Sequence, residues 1–150
     1  MTASNVTIRP LRANERADWE PLWKGYQAFY RVVIPERTTA VTWARLHDPA
    51  EPMHALGAYL DDRLRGIAHY LFHRSCWTIG DYCYLQDLFV AEDARGLGLG
   101  RALITAVEER ARAAGASRVY WLTQESNTAA RALYDRLAER SGFIQYRKLF

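Results

Sequence analysis

The sequence predicts an α/β (α+β) chain whose antiparallel front half is followed by a β-α-β unit. Three observations carry that prediction. Large apolar residues recur at three- and four-residue steps from Trp19 to Tyr30, the period of a helix with one buried face. Two short apolar runs meet at Asp61-Asp62-Arg63, a hairpin signal. A third run, Tyr82 to Val90, leads through a glycine-rich segment into another helical pattern, and that pattern into a further apolar run.

In chain order, Val6 to Arg9 reads as a first strand and Asn14 to Tyr30 as a first helix, with Trp19, Leu22, Trp23, Tyr26 and Tyr30 on its repeating face. Pro35 interrupts the helical pattern, and a second helix runs from Glu36 to Leu46, ahead of Asp48-Pro49. Met53 to Tyr59 and Arg65 to His73 form the hairpin, and Gly80-Asp81 turns the chain into the strand Tyr82 to Val90. A third helix runs from Leu99 to Ala114 and stops at Gly115. Arg118 to Thr123 is a strand, and the absence of charge from Val119 to Leu122 predicts burial on both faces. A fourth helix runs from Thr128 to Arg140, capped by Ser126 or Asn127 and stopped at Gly142. Phe143 to Phe150 reads as a closing strand.

Bulk properties narrow the function classes. The 150 residues suit one domain over 1–150 and bury a sizeable core. A net charge of +3 with scattered arginines argues against a nucleic-acid partner and suits a phosphorylated cofactor. No apolar run approaches the roughly 18 residues of a membrane span. Met1 to Asn5 lacks the apolar core of a signal peptide, so a cytoplasmic protein is expected. Cys76 and Cys83 are too few for a disulfide framework, and His69, His73, Cys76 and Cys83 lack zinc-ligand spacing, so no metal is expected.

The segment Arg95-Gly96-Leu97-Gly98-Leu99-Gly100 sits between a strand and a helix. Glycines there let backbone approach a ligand closely, and the free amides and dipole of a helix start favour an anion. Arg95 and Arg101 add charge beside it. Two phosphate motifs fail on spacing: a P-loop needs Gly-Lys-Ser/Thr where Gly100-Arg101-Ala102 stands, and the dinucleotide pattern needs a third glycine where Arg101 or Leu103 stands.

Arg95-x-x-Gly98-x-Gly100 resembles the Arg/Gln-x-x-Gly-x-Gly/Ala signature of the GNAT N-acetyltransferases, and Asn127-x-x-Ala130-x-x-x-Tyr134 resembles that family's second cofactor motif. The resemblance implies the acyl-CoA N-acyltransferase fold, a mixed central sheet of about six to seven strands flanked by four helices. It implies acetyl-CoA as co-substrate, its pyrophosphate on the amides of Arg95, Gly96, Leu97, Gly98, Leu99, Gly100 and Arg101, and its pantetheine arm paired with Leu88, Phe89 and Val90. Asn127 then contacts the cofactor and Tyr134 lies near the thioester. Tyr84 to Val90 and Gly142-Phe143 resemble the histone/polyamine branch, which includes diamine acetyltransferases and forms dimers or larger assemblies. A homodimer is expected on that ground, and because the closing strand exposes a sheet edge.

Acetyl transfer to an amine needs a neutral nitrogen, a polarised carbonyl and a proton for the departing thiolate. Tyr134 is the candidate general acid. The diamine acetyltransferases of the branch have Glu where this chain has Gln86, and a glutamine does not accept a proton at neutral pH. Asp87 and Glu125 are the candidate bases, Asp87 on the strand face opposite Gln86. Gln86 is then a candidate for binding the acceptor. Tyr26 and Tyr30, with Trp23, read equally as the first helix's core face or as a surface that stacks on a cationic substrate. The expected acceptor is a small primary amine, polyamine-like or amino-acid-like. A protein acetyltransferase acting on histone-like or N-terminal amines, or a non-catalytic CoA-binding regulatory module, are the alternatives.

Overall fold

A computed structural model describes residues 5–150. The leader reading of Met1 to Asn5 therefore lies outside the described residues, Asn5 excepted. The strands are β1 (Val6–Pro10), β2 (Met53–Leu60), β3 (Arg63–His73), β4 (Tyr82–Val90) and β5 (Arg118–Tyr120). The helices are α1 (Arg16–Phe29), α2 (Glu36–Leu46), α3 (Leu99–Ala113) and α4 (Thr128–Leu137). Among the described residues the sheet has five strands in the order β1-β2-β3-β4-β5, fewer than the six or seven expected. β1 to β4 are antiparallel neighbours, and β4 pairs with β5 in parallel, as a β-α-β unit through α3 requires.

The hairpin turns on Asp61 and Asp62, at φ of 48° and 66°. Two consecutive positive-φ residues define the turn whose twist matches the flanking strands, and Asp tolerates that region. β1 is fastened by a polar knot. Arg9 Nη1 donates to Glu15 Oε1 at 2.8 Å, Tyr59 donates its hydroxyl hydrogen to Glu15 Oε2 at 2.8 Å, and the Arg9 guanidinium lies 3.9 Å from the Tyr59 ring centroid. The Arg9 hydrogen bonds hold the Glu15 carboxyl down at about 2.

One sheet face carries α1 and α2, where Trp19 packs against Trp43 at 4.7 Å and against Trp23 at 6.0 Å between ring centroids. The other face carries α3, whose Leu99, Leu103, Ile104, Ala106, Val107 and Ala111 are buried, the i, i+3, i+4 stripe of a core-facing helix. Gly25 lets α1 settle close, since a Cβ there would stand 2.8 Å from the Phe89 ring. Without that approach Tyr26 and Tyr30 would be lifted off β4.

The half after Gly115 departs from expectation. β5 stops at Tyr120, and Val119, Tyr120 and Trp121 are only half-buried while Leu122 is exposed, so this run is not covered on both faces. α4 ends at Leu137 rather than Arg140, where Ala138 turns extended at φ −151° and ψ 176°. Residues 138–150 are exposed throughout and carry no strand, so the expected closing strand is unpaired in this chain. For the two strands the reason is shared: among the described residues β5's outer edge has no neighbour, and an apolar strand is buried only where something covers it.

Candidate active site

The glycine loop joins β4 to α3. After Val90 a single 3-10 turn, Glu92–Ala94, is tied back by an Arg65–Asp93 ion pair. Arg95 Nε donates to the Val90 carbonyl at 3.2 Å. Gly96 and Gly98 take φ of 79° and 80°, the left-handed region, and a Cβ on either would point into open space. Their glycines are therefore set by backbone conformation, which rolls the chain over so that α3 opens toward solvent. Gly98 is the N-cap, no side chain caps the helix and its first turn holds no acidic residue. The first intrahelical bond runs from the Ala102 N–H to the Gly98 carbonyl at 3.0 Å, leaving the earlier amides for an anion.

β4 and β5 pair only where Tyr82, Cys83 and Tyr84 face Arg118, Val119 and Tyr120. Beyond Tyr84 the strands part, so the β4 edge from Leu85 to Val90 presents its peptide groups to the gap. The stem is pinned by Tyr84 stacked on Tyr120, 4.8 Å between centroids, and by His73 Nε2, 2.7 Å from the Tyr120 hydroxyl. On the other side the register with β3 slips between His69 and Tyr70, and Gln86 has no partner there, a bulge that bends β4 beside the gap.

A cleft of about 290 Å³, open mouth included, fills the gap, lined by Tyr26, Tyr30, Leu85, Gln86, Leu88, Trp121, Leu122 and Tyr134. It brings together Gln86, Tyr26, Tyr30, Leu88 and Tyr134 of the sequence-derived candidates. Trp23 goes to the core instead, 6% exposed, so the aromatic face of α1 divides between packing and cleft. Tyr134 is half-buried with its ring edge-on to Trp121 at 5.5 Å. Burial, then the neighbouring Tyr30, raises its phenol above the ordinary value, so it holds its proton at neutral pH. Glu125 is exposed and does not line the cleft. Asn127 caps α4, its Oδ1 accepting from the Ala130 N–H at 3.4 Å.

Asp87 lies beneath the cleft, 9% exposed, while its neighbour Gln86 is exposed in the cleft. Its Oδ2 is 2.9 Å from His69 Nδ1, and His69 Nε2 accepts from the Trp19 indole N–H at 3.0 Å. An indole nitrogen only donates, so Nε2 is the acceptor and the ring hydrogen sits on Nδ1, aimed at Asp87. The Asp87 carboxylate also acts on the phenols of the α1 tyrosines. Burial raises the Tyr26 phenol far above its usual value and the Asp87 carboxylate raises it further, while Tyr30 shifts upward for the same two reasons. A polar chain therefore runs through the core from Trp19 to His69 to Asp87, and the carboxylate at its end is felt by the Tyr26 and Tyr30 phenols of the cleft wall. By sequence, His69 reads only as a zinc candidate and Trp19 only as core. Fifty positions separate the two in the chain, and the laying of α1 across β3 brings them together, as the pairing of β3 with β4 brings His69 to Asp87.

The glycine cradle, the parted strands and the tyrosine-walled cleft define an acyl-CoA-dependent transferase. Residues 19–138 match the model of the acetyltransferase (GNAT) family. The chain is 33% identical over 151 residues to the D-amino-acid N-acetyltransferase HPA3 of Saccharomyces cerevisiae, covering 99% of this chain and 93% of that one. It is 29% identical over 100 residues to the thialysine N-epsilon-acetyltransferase of Caenorhabditis elegans, covering 63% and 62%. An aminoglycoside N-acetyltransferase AAC(6')-Iy solved with CoA shares the fold at a TM-score of 0.82 and 20% identity, over 98% of this chain and 97% of that one. The chain belongs to the GNAT family and is an acetyl-CoA-dependent N-acetyltransferase.

The residues present fit the donor. The uncapped first turn of α3 suits a pyrophosphate, and the unpaired β4 edge at Leu88, Phe89 and Val90 suits an amide-bearing arm.

Proposed function

We propose that the protein acetylates the primary amine of a small, amino-acid-like molecule, as one catalytic domain over 1–150 that acts as a homodimer. The observation that carries the reading is the cleft: it is small, walled in part by three tyrosines and backed by the buried Asp87 carboxylate. A compact cation with an aromatic-facing ammonium fits such a wall. The D-amino-acid specificity in the name of the yeast relative, and the thialysine of the nematode one, point to the same class.

Acetyl-CoA supplies an activated acetyl thioester. The amides of Gly98, Leu99, Gly100 and Arg101, with the Arg95 and Arg101 side chains, hold its pyrophosphate, while Leu88 to Val90 and Asn127 align its arm. Gln86 hydrogen-bonds the acceptor. An ammonium must lose a proton before its nitrogen can attack, and Asp87 takes that proton through the Tyr26 hydroxyl. Tyr26 serves as a relay that stays a neutral phenol, in keeping with its raised pKa. His69 and Trp19 hold the Asp87 carboxylate in place. The neutral nitrogen bonds to the acetyl carbon as the carbon–sulfur bond breaks, Tyr134 donates its proton to the departing sulfur, and Tyr134 is restored by the second proton that the acetylated nitrogen sheds. Glu125, exposed beside α4, is left outside this scheme and complements the helix start.

The test measures acetyl-CoA binding and free CoA release together over D- and L-amino acids, thialysine, polyamines and a histone-like peptide. Turnover concentrated on the amino-acid-like amines is the expected result. Turnover on the peptide alone would move the reading to protein acetylation. Tight acetyl-CoA binding with no CoA release on any amine would make the chain a binding module.

A further inference from the structure

We propose that Arg31 selects amino acids as acceptors, its guanidinium holding their carboxylate at the mouth of the cleft. The proposal rests on the amino-acid reading above and names the group that recognises the second charge of such a substrate.

A zwitterion poses a charge problem for this cleft. The wall suits an ammonium, since it is lined by Tyr26, Tyr30 and Tyr134 with the Asp87 carboxylate buried beneath. None of the lining residues carries a positive charge. A carboxylate drawn in beside Asp87 would be repelled, and stripped of water without a partner. It must therefore stay at the mouth and find a cation there.

The chain offers few. Lys24 lies two positions before Tyr26 in α1, close to the opposite face of the helix. Arg131, three positions before Tyr134 on α4, is committed through Nη1 to the Glu125 carbonyl at 2.7 Å. Arg118 lies over the Tyr82 ring, 4.0 Å from its centroid, at the closed stem where β4 and β5 still pair. Arg31 directly follows the cleft residue Tyr30, is exposed, and enters no ion pair among the described residues.

The backbone singles out the same residue. At the end of α1 the Val32 N–H donates to the Gln27 carbonyl at 3.0 Å and the Arg31 N–H to the Ala28 carbonyl at 3.1 Å, a pair of bonds that closes many helices. Arg31 holds the left-handed position of that motif, at φ of 55°, where glycine is favoured because it has no Cβ to clash. Buried Gln27 fastens the turn again, its Oε1 accepting from the Ile34 N–H at 2.8 Å. Residue 31 is thus fixed by bonds that a glycine would make equally well with less strain. Strain of this kind persists at binding sites, where the side chain it carries is needed. A guanidinium suits the task, since its fork takes both oxygens of a carboxylate at once. The last turn of α1 holds no basic residue, so Arg31 also complements the helix dipole. That contribution would show in stability and leave acceptor selectivity untouched.

The experiment measures acetylation of paired acceptors by the wild type, Arg31→Gly and Arg31→Lys, with thermal unfolding followed in parallel. The pairs are a D-amino acid and its carboxamide, and thialysine and its carboxamide, alike in shape and different in one charge. The wild type is expected to favour the acid. Arg31→Gly should lower that preference, as a ratio of kcat/KM values, by about 10–100-fold, the range of a charge-assisted hydrogen-bonded pair. The loss should lie in KM, and Arg31→Lys should recover part of it. A wild type indifferent to the carboxylate, or a ratio that Arg31→Gly leaves unmoved, would overturn the proposal and leave the amine assignment standing. Equal losses on acid and amide with a lower unfolding temperature would do the same, returning Arg31 to a cap of α1. Wild-type turnover on neither acid nor amide would overturn the amino-acid reading and the proposal together.

Discussion

The chain before Gly115 and the chain after it are built on different terms. Every buried apolar side chain among the described residues lies between Leu11 and Ala111, in β2 to β4 and α1 to α3 with their connections. The later part, β5, α4 and residues 138–150, is half-covered at best. Both parts reach the cleft. The packed part supplies Tyr26, Tyr30, Gln86 and the Asp87–His69–Trp19 chain, and the open part supplies Trp121, Leu122 and Tyr134. Under the proposed mechanism, proton acceptance is built into a rigid core. Proton donation by Tyr134, and Asn127's share in aligning the donor, sit on the half-covered part, while the glycine loop and β4 edge that hold the donor belong to the packed one.

Substitutions on either side of Gly115 probe that contrast. Asp87→Asn removes the proposed acceptor from the packed side and should lower kcat/KM for the best amine by about 10²–10⁴-fold with acetyl-CoA affinity little changed, read by steady-state kinetics and calorimetry. An unchanged rate would strip Asp87 of its role. Tyr134→Phe, from the open side, should slow kcat about 10²-fold with the same retention of binding. Leu103→Ala, in the packed part, should cost about 2–5 kcal/mol of stability by urea unfolding. Leu133→Ala in α4 should cost under about 1 kcal/mol in a monomeric variant, since little surrounds it. Equal costs would erase the contrast.

Smallest is the acid response of the β1 knot. With its folded pKa at about 2 against about 4.3 unfolded, Glu15 stabilises the protein fully above roughly pH 4.3 and loses that contribution as pH falls toward 2. Glu15→Gln should therefore flatten the decline in stability over that interval in acid-unfolding curves.

Much of the packed part is legible in the sequence because its signals are local. Helical steps over Glu36 to Leu46, the double-Asp turn and the run Tyr82 to Val90 mark elements close to those observed. The glycine loop is legible for the same reason, since turn, helix start and spacing all sit within six residues. The open part misleads because composition records that Val119 to Leu122 and Phe143 to Phe150 are suited to burial, and not whether the rest of the chain covers them. The bond from Trp19 to His69 is hidden for a third reason. It depends on how α1 is laid across β3, which no local pattern records.

Whether the chain transfers acetyl to a small amine is decided by mass spectrometry of the products after the wild-type protein is incubated with acetyl-CoA and an amino-acid amine. The expected result is one N-acetylated amine formed for each CoA released. CoA released without an acetylated amine, or acetyl groups found only on peptide, would contradict the proposed function.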